Sequence, residues 1–268
     1  MQAAEDFRQE SRCLAAAIAP LSAADYPQAT LFKNWTIDDI LGHLHMFNLA
    51  AERTLQSEAA FQAFFAPIHH ALGQGKTLLE SQGPWLNGLC GPALFEAWAE
   101  GAERLADAYA QADPKQRVKW AGPDMSALSS ITARQMETWA HGQAVFDLRG
   151  IDRPETDRIR NIAHLGVNTF GWTFITRQEA VPEPAPYVVL TGPSGAEWTW
   201  NSEQPGNIVR GSAVEFSQAV TQVRHVADTA LQITGDTAQR WMAQAQCFAG
   251  PPNDPPAPGS RYKTLPLL

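Results

Sequence analysis

The chain has 268 residues, of which 44% are hydrophobic and 18% are charged, and its net charge at pH 7 is -8. This composition is typical of a globular protein, and the acidic balance argues against a nucleic-acid partner, which would need a basic surface. The sequence has no apolar run long enough to cross a membrane and no signal-peptide pattern at its start. The three cysteines form no CxxC pair and fit a reducing compartment, so a cytoplasmic protein is expected.

Apolar residues at helical spacing predict that the first 150 residues form an antiparallel helical bundle. Thr36 is expected to cap one helix, with Asp39 completing a capping box. Pro67 is expected to interrupt the next helix, and Gly150 to end the last one as a left-handed cap. The expected helices cover residues 4–18, 37–51, 57–70 and 92–112, and a stretch from Ser126 or Ser130 to about 148.

The pattern changes in the second half, where strand-like segments follow one further helix over residues 157–179. The sequence predicts an α+β domain here, after a helical domain at 1–152 and before a Pro-rich tail at 251–268. The α+β domain is expected to cover residues 153–250. Its expected elements are strands Tyr187–Thr191, Glu197–Trp200 and Asn207–Arg210, a helix from about 212, and a last helix over Asp236–Phe248.

Three polar residues on otherwise apolar helix faces suggest a metal site. Glu137 and His141 are four residues apart and therefore share one face of a helix. His43 lies on the stripe of Ile40 and Phe47, which is expected to face the bundle core. Three protein ligands leave one position open on a metal ion, as in catalytic zinc sites. The alternative is a mild surface pair between Glu137 and His141, while the spacing matches neither HExxH zinc proteases nor di-iron bundles.

The motif Trp35-Thr followed by Gly42-His43, together with Glu137-x-x-x-His141, resembles the DinB-like, mycothiol-dependent maleylpyruvate isomerase family. Within that family the sequence is most similar to a little-characterised metal-binding subgroup. The similarity extends over nearly the whole chain. The runs that carry it are Ala133–Gln143, Ala163–Val167, Gly171–Phe174, Arg224–Leu231 and Phe248–Pro252.

The resemblance implies an α+β protein that is mostly α, with an N-terminal DinB-like four-helix bundle and a smaller, sterol-carrier-like C-terminal α+β domain. It also implies that His43, Glu137 and His141 hold a divalent metal, usually zinc, which activates a low-molecular-weight thiol. Arg224 matches a family arginine that holds a carboxylate near the metal. A guanidinium suits that task because it binds carboxylates through two parallel hydrogen bonds.

These features predict a zinc-type enzyme that carries out thiol-dependent transfer or isomerisation of a small electrophilic or acidic metabolite. His225 or His164 is a candidate for proton transfer. The alternatives are a metal-dependent hydrolase that activates water and a non-enzymatic protein that binds a metal and a small ligand. The expected partner is a small-molecule substrate, with no nucleic acid and no membrane, and the sequence leaves the oligomeric state open.

Overall fold

The computed structural model describes residues 1–264, and the chain divides after Gly150 into two units. Unit 1 is Met1–Gly150, and unit 2 begins at Ile151. Within the described residues, no helix has the length and the apolar character that a membrane span requires.

Unit 1 consists of helices and a short antiparallel pair of strands. The helices are α1 (Gln2–Ile18), α2 (Ile37–Gln56), α3 (Glu58–Gly73), α4 (Leu78–Leu86), α5 (Gly91–Gln111) and α6 (Ala127–Arg149), and the strands are β1 (Arg117–Val118) and β2 (Met125–Ser126). Helix α1 packs against α5 and α6, and α2 packs against the same two helices, so these four close into a bundle. The predicted four-helix bundle is therefore confirmed.

The two helices that carry the predicted metal ligands have well-defined caps. The Thr36 hydroxyl accepts the Asp39 N–H at 3.1 Å, and the Asp39 carboxylate accepts the Thr36 N–H at 2.9 Å, so the predicted capping box is confirmed. Ser126 caps α6 by accepting the Ser129 N–H at 3.1 Å. Gly150 ends α6 with a φ of 66°, as predicted. These caps fix the start of α2 and both ends of α6.

The prediction that Pro67 interrupts the third helix is wrong, because α3 continues through it to Gly73. A proline leaves the carbonyl four residues earlier, here Ala63, without its helical donor. Ala63 is exposed, so water can satisfy that oxygen. Helix α3 also packs against α2 through a stripe of buried apolar side chains on both sides of the proline, namely Phe61, Phe65 and Ile68.

Unit 2 combines helices with a mixed sheet of strand order β4-β3-β5-β6, in which β3 and β5 are parallel and the other neighbours are antiparallel. The strands are β3 (Tyr187–Thr191), β4 (Glu197–Trp200), β5 (Ile208–Ser212) and β6 (Gln232–Thr234), and the helices are α7 (Arg160–Asn168), α8 (Phe170–Ile175), α9 (Ala213–Val220) and α10 (Asp236–Gln244). Helix α9 packs against β3, β5 and α7. The predicted smaller α+β domain is confirmed.

The single helix predicted over 157–179 is in fact a 3-10 turn at Asp157–Ile159 followed by α7 and α8. The break lies at Thr169, whose hydroxyl donates to the Leu165 carbonyl at 2.8 Å. Such a bond to the preceding turn often bends a helix. The Thr169 backbone has a φ of -94° and a ψ of 12°, so the stretch forms two short helices that meet at this residue.

The last helix ends at Gln244 and does not reach Phe248 as predicted. Ala245 adopts an extended conformation, and the Cys247 N–H then donates to the Val220 carbonyl at 3.0 Å. The backbone after Gln244 is thus bonded to a distant segment and is not available for helical bonds.

The predicted Pro-rich tail, residues 251–268, is described up to residue 264, and its last four residues lie outside the described part. The described part has no regular secondary structure and is bonded to the rest of unit 2. The Gln222 side-chain amide donates to the Asn253 carbonyl at 2.8 Å, and the Asp228 carboxylate accepts the Gly259 N–H at 2.9 Å. These bonds hold the tail against the rest of unit 2.

Candidate metal centre

Helices α2 and α6 pack against each other and bring the three predicted metal ligands together. His43 lies on α2, two turns after the Thr36 cap, and Glu137 and His141 lie one turn apart on α6. Their side chains are largely buried, with 8% of His43, 21% of Glu137 and 14% of His141 exposed. The fold therefore brings the three side chains together, and the binding of a metal by them stays a prediction.

The three donor atoms lie at the spacing of a coordination sphere. Glu137 Oε2 is 3.2 Å from His43 Nε2 and 3.1 Å from His141 Nε2, and all three atoms lie within 4.8 Å of one another. In a tetrahedral zinc site with bonds of about 2.1 Å, neighbouring donor atoms are about 3.4 Å apart. Two imidazoles and one glutamate are also a known ligand set of catalytic zinc. The residues therefore fit a zinc-type divalent ion.

The protonation states of the cluster favour a cation. Burial, together with the neighbouring His141, lowers the pKa of His43 to about 4, so the His43 ring is neutral at pH 7. Burial alone would raise the pKa of Glu137, but hydrogen bonds with His141 and His43 outweigh this effect and hold that pKa well below its usual range. Glu137 is therefore ionised, and the cluster offers a negative oxygen beside a neutral imidazole.

A buried cation that the sequence analysis missed lies one turn before Glu137. Arg134 is 1% exposed, its Nε donates to Asn48 Oδ1 on α2 at 3.0 Å, and its guanidinium carbon is 5.8 Å from the centroid of the Phe47 ring. Burial lowers the pKa of Arg134 to about 10, although Glu137 opposes this shift, so Arg134 is charged at pH 7. Its charge favours the ionised form of Glu137. One feature of the sequence could have pointed to Arg134: it lies within Ala133–Gln143, one of the runs that carry the family resemblance.

Aromatic side chains surround the two imidazoles. Phe32 and Trp35 come from the loop before α2, and Phe47 lies on α2 one turn after His43. Their ring centroids lie 4.8 to 5.7 Å from those of His43 or His141. The sequence analysis used Trp35 only to support the family resemblance and Phe47 only as a marker of the buried stripe.

The two predicted catalytic residues lie in unit 2, between α9 and β6. Arg224 is half-buried, and its Nη1 donates to the Val223 carbonyl at 3.3 Å. His225 caps the 3-10 turn Val226–Asp228, where its Nδ1 accepts the Ala227 N–H at 3.0 Å. Because Nδ1 is an acceptor, the neutral ring carries its proton on Nε2. The catalytic roles of both residues stay predictions.

His164, the alternative for proton transfer, is exposed on α7 in unit 2. Its Nδ1 accepts from Trp200 Nε1 at 3.0 Å, and its Nε2 is 2.8 Å from Asn168 Nδ2. With both ring nitrogens engaged, His164 can exchange a proton only by giving up a hydrogen bond, which makes it the weaker candidate.

The family model described as the mycothiol maleylpyruvate isomerase N-terminal domain matches residues 7–146. This range is more than half of the chain and contains His43, Glu137 and His141. The chain belongs to this family. Two uncharacterized proteins from two strains of Mycobacterium tuberculosis are each 36% identical to this member of the mycothiol maleylpyruvate isomerase family over 247 residues, which cover 92% of its chain and 95% of theirs.

Two crystal structures of the mycothiol-dependent maleylpyruvate isomerase have a similar fold. One matches with a TM-score of 0.54 and 14% identity, over 86% of this chain and 91% of that structure. The other, of a mutant, matches with a TM-score of 0.53 and 16% identity, over 83% and 88%. At these identities the likeness establishes the fold alone. The resemblance to the mycothiol-dependent maleylpyruvate isomerase family that the sequence motifs indicated is confirmed.

Proposed function

We propose that this protein binds a zinc-type divalent ion through His43, Glu137 and His141 and uses it in thiol-dependent transfer or isomerisation of a small electrophilic or acidic metabolite. The observation that carries this proposal is that Glu137 Oε2 lies 3.1 to 3.2 Å from both histidine nitrogens, within the segment that matches the family. Three protein ligands leave a further position for an exchangeable ligand, as catalytic zinc sites do.

A divalent ion held there would deprotonate a coordinating thiol, and the thiolate is the nucleophilic form. In a transfer, the sulfur forms a bond to an electrophilic carbon, and the proton lost by the thiol goes to the adjacent carbon. In an isomerisation, the adduct rotates, the adjacent carbon gives up that proton, the carbon–sulfur bond breaks, and the sulfur takes the proton back to regenerate the thiol. A low-molecular-weight thiol is supported by the family and by the solved isomerases, which are described as mycothiol-dependent.

The charges of the cluster support an anionic exchangeable ligand. Glu137 contributes a single negative charge, against two from a divalent ion and one from the buried Arg134. Excess positive charge in a buried site attracts an anion more strongly than a neutral molecule because the local dielectric constant is low. A thiolate meets that requirement.

Arg224 and His225 are proposed to act on the substrate. The Arg224 guanidinium would hold a carboxylate, and His225 would carry a proton on Nε2, since its Nδ1 caps a turn. Arg224→Gln is expected to raise KM for an acidic substrate and to leave KM for an uncharged electrophile unchanged. An equal change in both KM values would contradict the carboxylate role.

Thiol dependence tests the proposal. Zinc-loaded protein is incubated with maleylpyruvate and with other electrophilic acids, without thiol or with glutathione, mycothiol or bacillithiol. The proposal expects consumption only when a thiol is present, and loss of that activity in Glu137→Gln. His45→Ala is the matched control, because His45 is also buried on α2 but lies outside the cluster. Turnover without thiol would replace the proposal by metal-dependent hydrolysis, and no turnover would favour a binding protein.

A further inference from the structure

The outer ring nitrogens of the two histidines have no hydrogen-bond partner among residues 1–264. Both the Nδ1 atom of His43 and that of His141 are buried and unpaired. In most metal sites this second nitrogen donates to a carboxylate, a carbonyl or a water, and that bond fixes the orientation of the ring. Within residues 1–264, these two rings are therefore not oriented by a protein hydrogen bond at Nδ1.

Aromatic contacts supply that orientation. The Trp35 ring is stacked on His141, with centroids 5.7 Å apart and planes inclined by 6°. Phe32 meets the same imidazole edge-on, at 4.9 Å and 90°, so His141 is held from two directions. Trp35 also contacts His43 at 5.5 Å, and Phe47 contacts His43 at 4.8 Å. A single indole thus touches both imidazoles of the cluster.

The backbone holds Phe32 and Trp35 in a fixed relation. They are the first and last residues of a tight turn that is closed by a bond of 2.8 Å from the Trp35 N–H to the Phe32 carbonyl. The central residues Lys33 and Asn34 have φ values of 52° and 59°, as type I′ turns require. A lysine rarely adopts this conformation, and such strain persists only where the surroundings enforce it, often at functional sites.

The turn is also joined directly to the helix that carries His43. The Trp35 carbonyl accepts the Thr30 N–H at 2.8 Å, and the next residue, Thr36, is the N-cap of α2. Trp35 is therefore anchored on both sides of its own backbone, one residue before α2 begins.

We infer that Trp35, assisted by Phe32, is a positioning residue for the proposed metal ligands, and that it orients His141 and His43 by ring packing where other sites use a hydrogen bond. The inference rests on the metal site proposed above. It assigns the turn from Phe32 to Trp35, here called the aromatic turn, a role beyond the burial of apolar surface. Loss of the indole should disturb the metal even in a protein that folds normally.

Zinc affinity of Trp35→Leu, measured by competition with a chromophoric chelator, tests this inference. The expected loss is about 10- to 100-fold, the range found when outer residues of a metal site are removed. Trp35→Phe, which keeps an aromatic ring, should recover most of the loss. Trp85→Leu is the matched control, because Trp85 is also half-buried and packs against a histidine, His45, at 5.6 Å. The control should bind zinc like the unaltered protein.

A cobalt-substituted sample gives a second readout that general destabilisation would not move. Trp35→Leu should shift the ligand-field bands of Co²⁺ because the imidazoles turn, and Trp85→Leu should not. If Trp35→Leu fails to fold, Phe32→Leu carries the test and should also weaken zinc binding. Unaltered affinity and spectra in Trp35→Leu and Phe32→Leu, or an equal loss in the Trp85 control, would overturn the inference. Absence of zinc binding by the unaltered protein would instead overturn the ligand set, and this result would be apparent before any variant is made.

Discussion

Lowering the pH should reduce the free energy of unfolding of the metal-free protein, because His43 is buried in its neutral form. Burial holds the pKa of the folded His43 at about 4, whereas the ordinary value is 6.5. As pH falls below 6.5, the unfolded chain takes up a proton that the folded chain does not, so the free energy of unfolding decreases down to about pH 4 and then levels off. For these two pKa values, the loss between pH 7 and pH 5 is about 2 kcal/mol.

The comparison with His43→Gln isolates this effect, since glutamine does not titrate. Hydrogen exchange of the slowest amides of α2 and α6, in chelator-treated protein, gives the free energy of opening of unit 1 alone. His45, whose pKa burial also lowers, is present in both proteins and cancels. The lowered pKa of Glu137 affects stability only below its ordinary value of 4.5, outside this pH range. If His43→Gln lost as much stability between pH 7 and pH 5 as the unaltered protein, the reasoning would be refuted.

Three further substitutions test other features of the structure. Arg134→Met should destabilise the metal-free protein by about 1–3 kcal/mol in urea unfolding, because it leaves the buried Asn48 Oδ1 without its donor, and an unchanged stability would contradict this. Lys33→Gly should stabilise the protein by about 0.5–1 kcal/mol, since glycine accepts a φ of 52° without strain, and a lower Tm would contradict this. Gly192→Ala should cost about 1–3 kcal/mol because its Cβ would overlap the Trp198 ring, and an unchanged Tm would argue against this clash.

Local chemistry made the ligand helices predictable. The capping box of Thr36 and Asp39 and the left-handed Gly150 depend only on neighbouring residues, so the sequence located these helix ends correctly. Helical periodicity also gave the inward direction of His43 and the shared face of Glu137 and His141. What brought these faces together is the packing of α2 against α6, which the family resemblance supplied and periodicity could not.

The features that the sequence did not reveal depend on tertiary contacts. Helix α4 contains a glycine and Pro84, which disfavour a helix, yet it is stabilised by its Thr77 cap and by Gln82, which donates to the Asp39 carbonyl at 3.0 Å. Arg134 resembles an ordinary surface charge until its partner Asn48, 86 residues earlier, is seen.

The aromatic turn before α2 was missed for a related reason. The conformation of Lys33 has no sequence signal, because lysine is rarely found at positive φ. The contact of Phe32 and Trp35 with His141 joins residues that are more than 100 positions apart. Such contacts follow from the folded bundle and from no local pattern.

Metal content tests the ligand set most directly. The unaltered protein, His43→Ala, His141→Ala and the control His45→Ala are reconstituted with zinc, desalted and analysed by mass spectrometry for bound metal. His45 and His43 are both buried, so the two α2 variants remove similarly buried rings. We predict about one zinc ion per chain in the unaltered protein and the control, and little in the two ligand variants. Near-stoichiometric zinc in His43→Ala or His141→Ala would contradict the proposed metal centre.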